Sequence, residues 1–360
     1  MRSRLTCLLA AAFVVLLAGC APQLPVVAPA GEALPLFVQD KRDDKRDNLS
    51  DAALERLVDP SHPGCSAAVA VDGVVVWAGA HGLADLSTGE PLTPRTRFNM
   101  ASVSKQFTAT AILLLEREGL ISLDDAISSY VDGLPAWGQT TTLDQLLHHT
   151  SHIRDFWQRL QADGIGFSDY VSHEDIVRAI ARLRTLEPGT GYLYSNANYV
   201  LLAEVVLRVS GKTLPVFLEE RIFAPLDLDM EMNPNLKAPD VAISYDDAEQ
   251  RQDSGWSAYG YSEIFATPTE LARWADQYRT GTIVDSKFAD DAVVMPDGAL
   301  YAAGIEVRTD NSLRHDGRLG GHVTTFQISP DRGTALVVMC NGHLSPRWPV
   351  TDALKAIWFE

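Results

Sequence analysis

Apolar residues change their spacing several times along the chain, and each change predicts a different element. Two β-branched, apolar runs, Cys65–Val71 and Val74–Ala80, are separated by Asp72-Gly73. That pair takes the positive φ a tight two-residue turn needs, so the runs predict a hairpin. Before them, Ser50 can cap a short helix running to about Val58. From Ser102 to Glu118 the spacing turns helical: Phe107, Ala111, Leu114 and Leu115 share one stripe, and Gly119 ends it. Helical signals dominate from about 123 to 280, at Leu143–His148, Glu174–Leu183, Ala197–Val209 (closed by Gly211), Leu214–Phe223 and Pro268–Tyr278. The last of these opens on the capping sequence Thr267-Pro268-Thr269-Glu270. Strand spacing then returns at about Leu300–Arg308, Leu313–His315, Val323–Ser329 and Thr334–Cys340, before a closing helix near Val350–Trp358. Strands at both ends with helices between predict an α+β fold. Its antiparallel sheet is built from the N- and C-terminal segments and flanked by helices, with a mostly helical subdomain inserted at about 123–265. A cleft between these two parts is the expected place for a site.

The first residues follow another pattern. Arg2 and Arg4 precede an apolar run from Leu5 to Leu17, then Ala18, Gly19 and Cys20. A basic start, a short apolar stretch and small residues make a secretory signal, and the run is too short for a lasting transmembrane helix. Leu17-Ala18-Gly19-Cys20 resembles a bacterial lipobox, which implies a signal peptide over 1–19 and a lipid on Cys20. By the same resemblance, Ala21 after the cysteine favours the outer membrane, so the expected location is the periplasm, with membrane contact through the lipid alone. Pro22, Pro25, Pro29 and Pro35, then the mixed-charge run Lys41–Asp47, show no apolar periodicity, and residues 20–47 read as a lipidated tether before a domain at 48–360.

The 360 residues are 46% hydrophobic, enough for a buried core, and their formal net charge is −17. That balance argues against nucleic acid as a partner, because phosphate binding needs a cationic face. With Cys7 removed in the signal and Cys20 lipidated, Cys65 and Cys340 remain, either as a disulfide or as two buried free thiols.

Candidate chemistry sits in short motifs. In Ser102-Val103-Ser104-Lys105 the first and last residues share a helix face, so Ser102 Oγ can meet the Lys105 amine. A serine hydroxyl needs a base, and a lysine whose pKa is lowered by burial can serve. Tyr194-Ser195-Asn196 follows the turn Pro188-Gly189-Thr190-Gly191 and opens a helix, where a tyrosine hydroxyl can aim into a cleft. His315-Asp316-Gly317 lies on a predicted strand, and Gly317 admits close approach of another backbone.

Taken together, these motifs and their surroundings resemble the serine β-lactamase/penicillin-binding-protein superfamily, on the branch holding class C β-lactamases, family VIII esterases and D-aminopeptidases. The resemblance covers nearly all of residues 50–360 and includes Thr96–Ala109, Leu146-Leu147-His148-His149-Thr150-Ser151 and Tyr194–Tyr199. It implies acyl transfer: Ser102 attacks a carbonyl while Lys105 and Tyr194 move its proton. The backbone N–H groups of Ser102 and Arg318, beside Gly317, would form the oxyanion hole. Asn196 would hold the substrate's amide or the lysine, and His315 would stand in for the lysine of Lys-Thr-Gly. No metal or organic cofactor is implied, and a monomer is expected.

Some residues depart from that pattern. A largely neutral His315 and an acidic Asp316 replace a fixed cation and a hydroxyl, which makes cephalosporin hydrolysis a poorer fit than an ester or a D-residue peptide or amide. His152 stands where glycine is common, His322 where an aromatic is common, and Tyr261-Ser262-Glu263 where a glycine-rich turn is common. His148, His149, His152 and Asp155 have metal-like spacing, but adjacent histidines face different sides of a helix, and no metal site is expected. The expected function is a Ser102 acyl-enzyme hydrolase for a small ester or amide or a cell-wall peptide. The alternatives are a β-lactamase or D-alanyl-D-alanine carboxypeptidase, and a catalytically inactive cell-wall peptide binder.

Overall fold

The strand runs from the two ends of the chain meet in one antiparallel sheet. The computed structural model describes residues 43–184, 191–234 and 236–359. Its main sheet contains β1 (Cys65–Val71), β2 (Val74–His81), β3 (Val293–Val294), β4 (Leu300–Tyr301), β5 (Glu306–Val307), β6 (Leu313–Leu319), β7 (His322–Ile328) and β8 (Thr334–Cys340). Their spatial order is β3-β4-β5-β6-β7-β8-β1-β2. The first and last strands are therefore neighbours, and Cys65 lies opposite Cys340. These two cysteines form a disulfide.

Period-two alternation sorts the strand side chains into two cores. Cys65, Ala67 and Val69 join Leu336 and Val338 on one face, beneath Leu54, Val350, Leu354 and Trp358 from the terminal helices Asp44–Leu57 and Arg347–Trp358. Ala68, Ala70, Val337 and Met339 enter the larger core on the other face, with Phe107, Leu271 and Trp274. The helices Leu143–Leu147, Phe156–Ala162, His173–Ile180, Asn196–Ser210 and Leu214–Leu218 fill the stretch expected to be helical.

Several boundaries move. The first helix is capped by Asp43, whose carboxylate accepts from Lys45 N and Arg46 N, so the end of the supposed tether is helical. Ser50 is mid-helix and buried, donating to Arg46 O and accepting from Trp358 Nε1. The Leu300–Arg308 run breaks into β4 and β5 around Gly304, whose φ is +73°. β6 continues past His315 to Leu319, and its alternation persists through polar residues. Pro268–Tyr278 is a helix over Pro268–Trp274 followed by a short turn of helix at Gln277–Thr280. The signal peptide 1–19, Cys20, the tether up to residue 42 and the turn residues Pro188-Gly189-Thr190 lie outside the described residues. Among the described residues, no helix is long and apolar enough to cross a membrane.

Candidate active site

Ser102 enters the site on a 3₁₀ turn, Ala101–Ser104, that runs into the helix Lys105–Arg117. In a 3₁₀ turn residues i and i+3 eclipse, which sets Lys105 directly over Ser102. Lys105 Nζ lies 3.1 Å from Ser102 Oγ, and it donates to Asn196 Oδ1 and to Tyr261 O, both at 2.8 Å. The side chain has no exposed surface. Desolvation holds its pKa well below the ordinary lysine value, and the Asp155 carboxylate opposes that shift. Two N–H groups of a neutral amine satisfy Asn196 and Tyr261, which leaves the lone pair for Ser102 Oγ.

Tyr194 and Asn196 complete the cluster from the start of the helix Asn196–Ser210. The Tyr194 hydroxyl donates to Ser102 Oγ at 2.9 Å. Burial pushes this phenol above its usual pKa, so it stays protonated near neutrality. The Asn196 amide bridges two groups: Oδ1 takes Lys105, while Nδ2 and the backbone N both donate to Asp155 Oδ2, at 2.9 and 2.8 Å. The other Asp155 oxygen caps the helix Phe156–Ala162 through Trp157 N. Asn196 therefore holds the lysine, and Asp155 holds Asn196.

The β6 residues play different parts. Gly317 packs on the Ser102 turn, where an added Cβ would lie 2.3 Å from Met100 O and 3.2 Å from Ser102 N. Only glycine fits, and this contact brings the Gly317–Arg318 backbone beside the Ser102 N–H. A cavity of about 360 Å³ opens there, lined by Ser102, Asp155, Gln158, Asn196, Tyr261 and Arg318, among others. His315 is not among its lining residues. Its ring is buried, with Nδ1 2.9 Å from Asp316 O and Nε2 3.2 Å from the Tyr301 hydroxyl. Desolvation lowers its pKa to about 3, so it is neutral and fully committed within the protein. Asp316 points to Arg314 and Thr325 rather than at a substrate.

A profile of the Beta-lactamase family matches residues 50–357. The chain belongs to the beta-lactamase family. Among curated relatives, a D-aminopeptidase from Cereibacter sphaeroides is 29% identical over 84% of this chain and 62% of its own length. A D-aminopeptidase from Brucella anthropi is 35% identical over 54% of this chain and 38% of its own length. The chain thus spans less than two thirds of these relatives. A solved D-amino acid amidase from Ochrobactrum anthropi SV3, complexed with L-phenylalanine, shares the fold, with TM-score 0.72 and 23% identity over 87% of this chain and 98% of that one.

This beta-lactamase-family site also uses residues that the motifs did not assign. His149 lies under Tyr194, its ring centroid 4.3 Å away, and packs against Tyr199 and Tyr301 as well. Its Nδ1 accepts from Ser195 N and Asn198 Nδ2, so the second histidine of Leu-Leu-His-His-Thr-Ser props the Tyr194 segment. The four residues with metal-like spacing diverge. His148 pairs with Asp144, His152 reaches Gly191 O, and Asp155 serves Asn196. Tyr261, flagged only as a departure, supplies a backbone oxygen to Lys105. No side-chain pattern could reveal that contact.

Proposed function

We propose that the chain is a serine hydrolase working through an acyl-enzyme on Ser102, and that it takes amides or peptides of D-amino acids with a free α-amino group. The observation that carries this reading is Lys105, a buried amine of depressed pKa in contact with Ser102 Oγ. Lys105 takes the Ser102 proton as Oγ bonds to the substrate carbonyl carbon. The carbonyl oxygen becomes an oxyanion facing the backbone N–H groups of Ser102 and Arg318. The Lys105 proton passes through the Tyr194 hydroxyl to the leaving nitrogen as the C–N bond breaks. Water then attacks the ester, its proton returns by the same groups to Ser102 Oγ, and the acid leaves. Removing one oxyanion donor from such a site costs about 10²–10³ in rate.

Asp155 supports the choice of substrate. It places a carboxylate on the cavity wall beside Ser102, where an α-ammonium would be favoured. His315, neutral and buried, offers no cation at the position where a β-lactam carboxylate would be gripped. The D-aminopeptidase relatives point the same way. Exposed Arg318 at the cavity rim favours one alternative, a carboxypeptidase that holds a terminal carboxylate.

Turnover of D-alanine p-nitroanilide that disappears in Ser102→Ala, with the L-isomer and the N-acetylated D-compound at least tenfold poorer, is the expected result. A long-lived penicilloyl adduct without anilide turnover would replace this reading with the carboxypeptidase. The lipobox-like Leu17–Cys20 and the Cys65–Cys340 disulfide support a periplasmic enzyme anchored through Cys20. Incorporation of labelled palmitate that is lost in Cys20→Ser tests the anchor.

A further inference from the structure

Two departures from the family's usual text, Glu263 and His322, converge on one residue. Asn99 precedes the nucleophile by three positions. Its Nδ2 donates to Glu263 Oε2 at 2.8 Å, and its backbone N–H donates to His322 Nδ1 at 3.0 Å. Its Oδ1 accepts from Ala101 N at 2.8 Å. His322 is held in turn by Nε2 donating to Ala242 O at 3.1 Å. Asn99, Glu263 and His322 are 5%, 1% and 5% exposed.

The backbone at both ends of this chain of contacts is unusual. Ala101, the residue before Ser102, has φ +50°, and Glu263 has φ +79°. Left-handed φ disfavours any residue with a Cβ, and a buried carboxyl adds a desolvation cost. A glycine at position 263 would carry neither cost, so the glutamate must supply something in return. What it supplies is a hydrogen-bond acceptor for Asn99, whose own oxygen fixes the amide of strained Ala101.

We propose that Glu263 is a positioning residue for the nucleophile: acting through Asn99, with His322 as a second grip, it locks Ala101 and so aims the Ser102 hydroxyl and backbone N–H. Burial raises the Glu263 pKa to about 8, which makes it a neutral acid near pH 7. Oε2 then accepts from Asn99, and Oε1 lies within hydrogen-bond reach of Ser262 Oγ, 3.3 Å away. The inference rests on the acyl-enzyme reading of Ser102 and concerns how that serine is held.

The test compares Glu263→Gly, Glu263→Gln and Asn99→Ala with the unaltered enzyme on an activated ester or D-alanine p-nitroanilide, reading kcat, KM and Tm. Glycine suits the left-handed backbone, so Glu263→Gly is expected to keep or raise Tm while kcat falls at least tenfold with KM within threefold. Glutamine copies the neutral acid, one acceptor and one donor, and is expected to restore kcat to within threefold. Asn99→Ala breaks the same link at its other end and is expected to match the kcat loss of Glu263→Gly. A Glu263→Gly or Asn99→Ala enzyme with kcat within twofold of the unaltered protein would overturn the inference, as would a Glu263→Gln enzyme as slow as Glu263→Gly. Absence of Ser102-dependent turnover in the unaltered protein would instead strike the functional reading.

Discussion

At Lys105 three oxygens surround one amine, and none of the side chain is exposed. Its depressed pKa gives the pH profile a sign: the proposed mechanism uses the neutral form, so kcat/KM should fall on acidification through the Lys105 pKa. Lys105→Arg, which stays charged, is expected to lose at least about 10³-fold in kcat/KM, judged by the loss from a triad member. Tyr194→Phe removes the relay but leaves the base. Its expected loss, about 10²–10⁴ and mainly in kcat, matches a general acid–base group. Stopped-flow acylation by a p-nitrophenyl ester reads both. The spacing of Ser102 and Lys105 suggested this pair, and the family resemblance of the surrounding motifs, rather than spacing, set Tyr194 and Asn196 beside it. Asp155 was legible only as a false metal ligand, because its true partner, Asn196, lies 41 positions away. His315 was read as a substrate contact because a motif names a position, not the direction of a ring.

The elements show why local pattern was enough for some of the architecture and not for the rest. Hairpin β1–β2 and strands β7 and β8 carry clean apolar runs and fall where expected. β6 was cut short at His315 because its outward residues, Arg314, Asp316 and Arg318, break the apolar count although the alternation itself continues. The Asp44–Leu57 helix begins in a run of charges, and its hold comes from the Asp43 cap and from Trp358 of the last helix, which local spacing cannot report. Between β6 and the nucleophile turn there is no slack. Gly317→Ala puts a methyl 2.3 Å from Met100 O. It should push the turn from its place and lower acylation by at least tenfold, with Tm falling as well. Ordinary acylation and Tm in that variant would mean that the two elements are not in the contact described.

For the molecule as a whole, buried imidazoles and a buried acid shape stability against pH in opposite senses, His149 acting in the same sense as the two histidines that follow. His315 and His322 have pKa values lowered to about 3 and about 4 by burial, against 6.5 when unfolded. The unfolded chain therefore binds protons that the folded one refuses, and stability should fall as pH drops from about 6.5 toward 4. Glu263, raised to about 8 from 4.5, binds its proton better when folded. Its contribution is whole below about 4.5 and is lost as pH rises through 8. Calorimetry should thus find Tm highest between these limits, with a shallower acid slope in His322→Phe. Replacing Cys65 and Cys340 by serine should cost about 2–5 kcal/mol of stability, measured by denaturant titration. That bond joins residues 275 positions apart, and the strands it links are the sheet's first and last in the chain. The consequence is one of timing. β1 has no neighbour on its β8 side until the final tenth or so of the polypeptide has been delivered, so β1–β2 must wait as an unfinished edge while everything between is made. Such long-range closure slows folding. Under the export proposed above, that delay would keep the sheet from locking before its last strand has followed the rest of the chain.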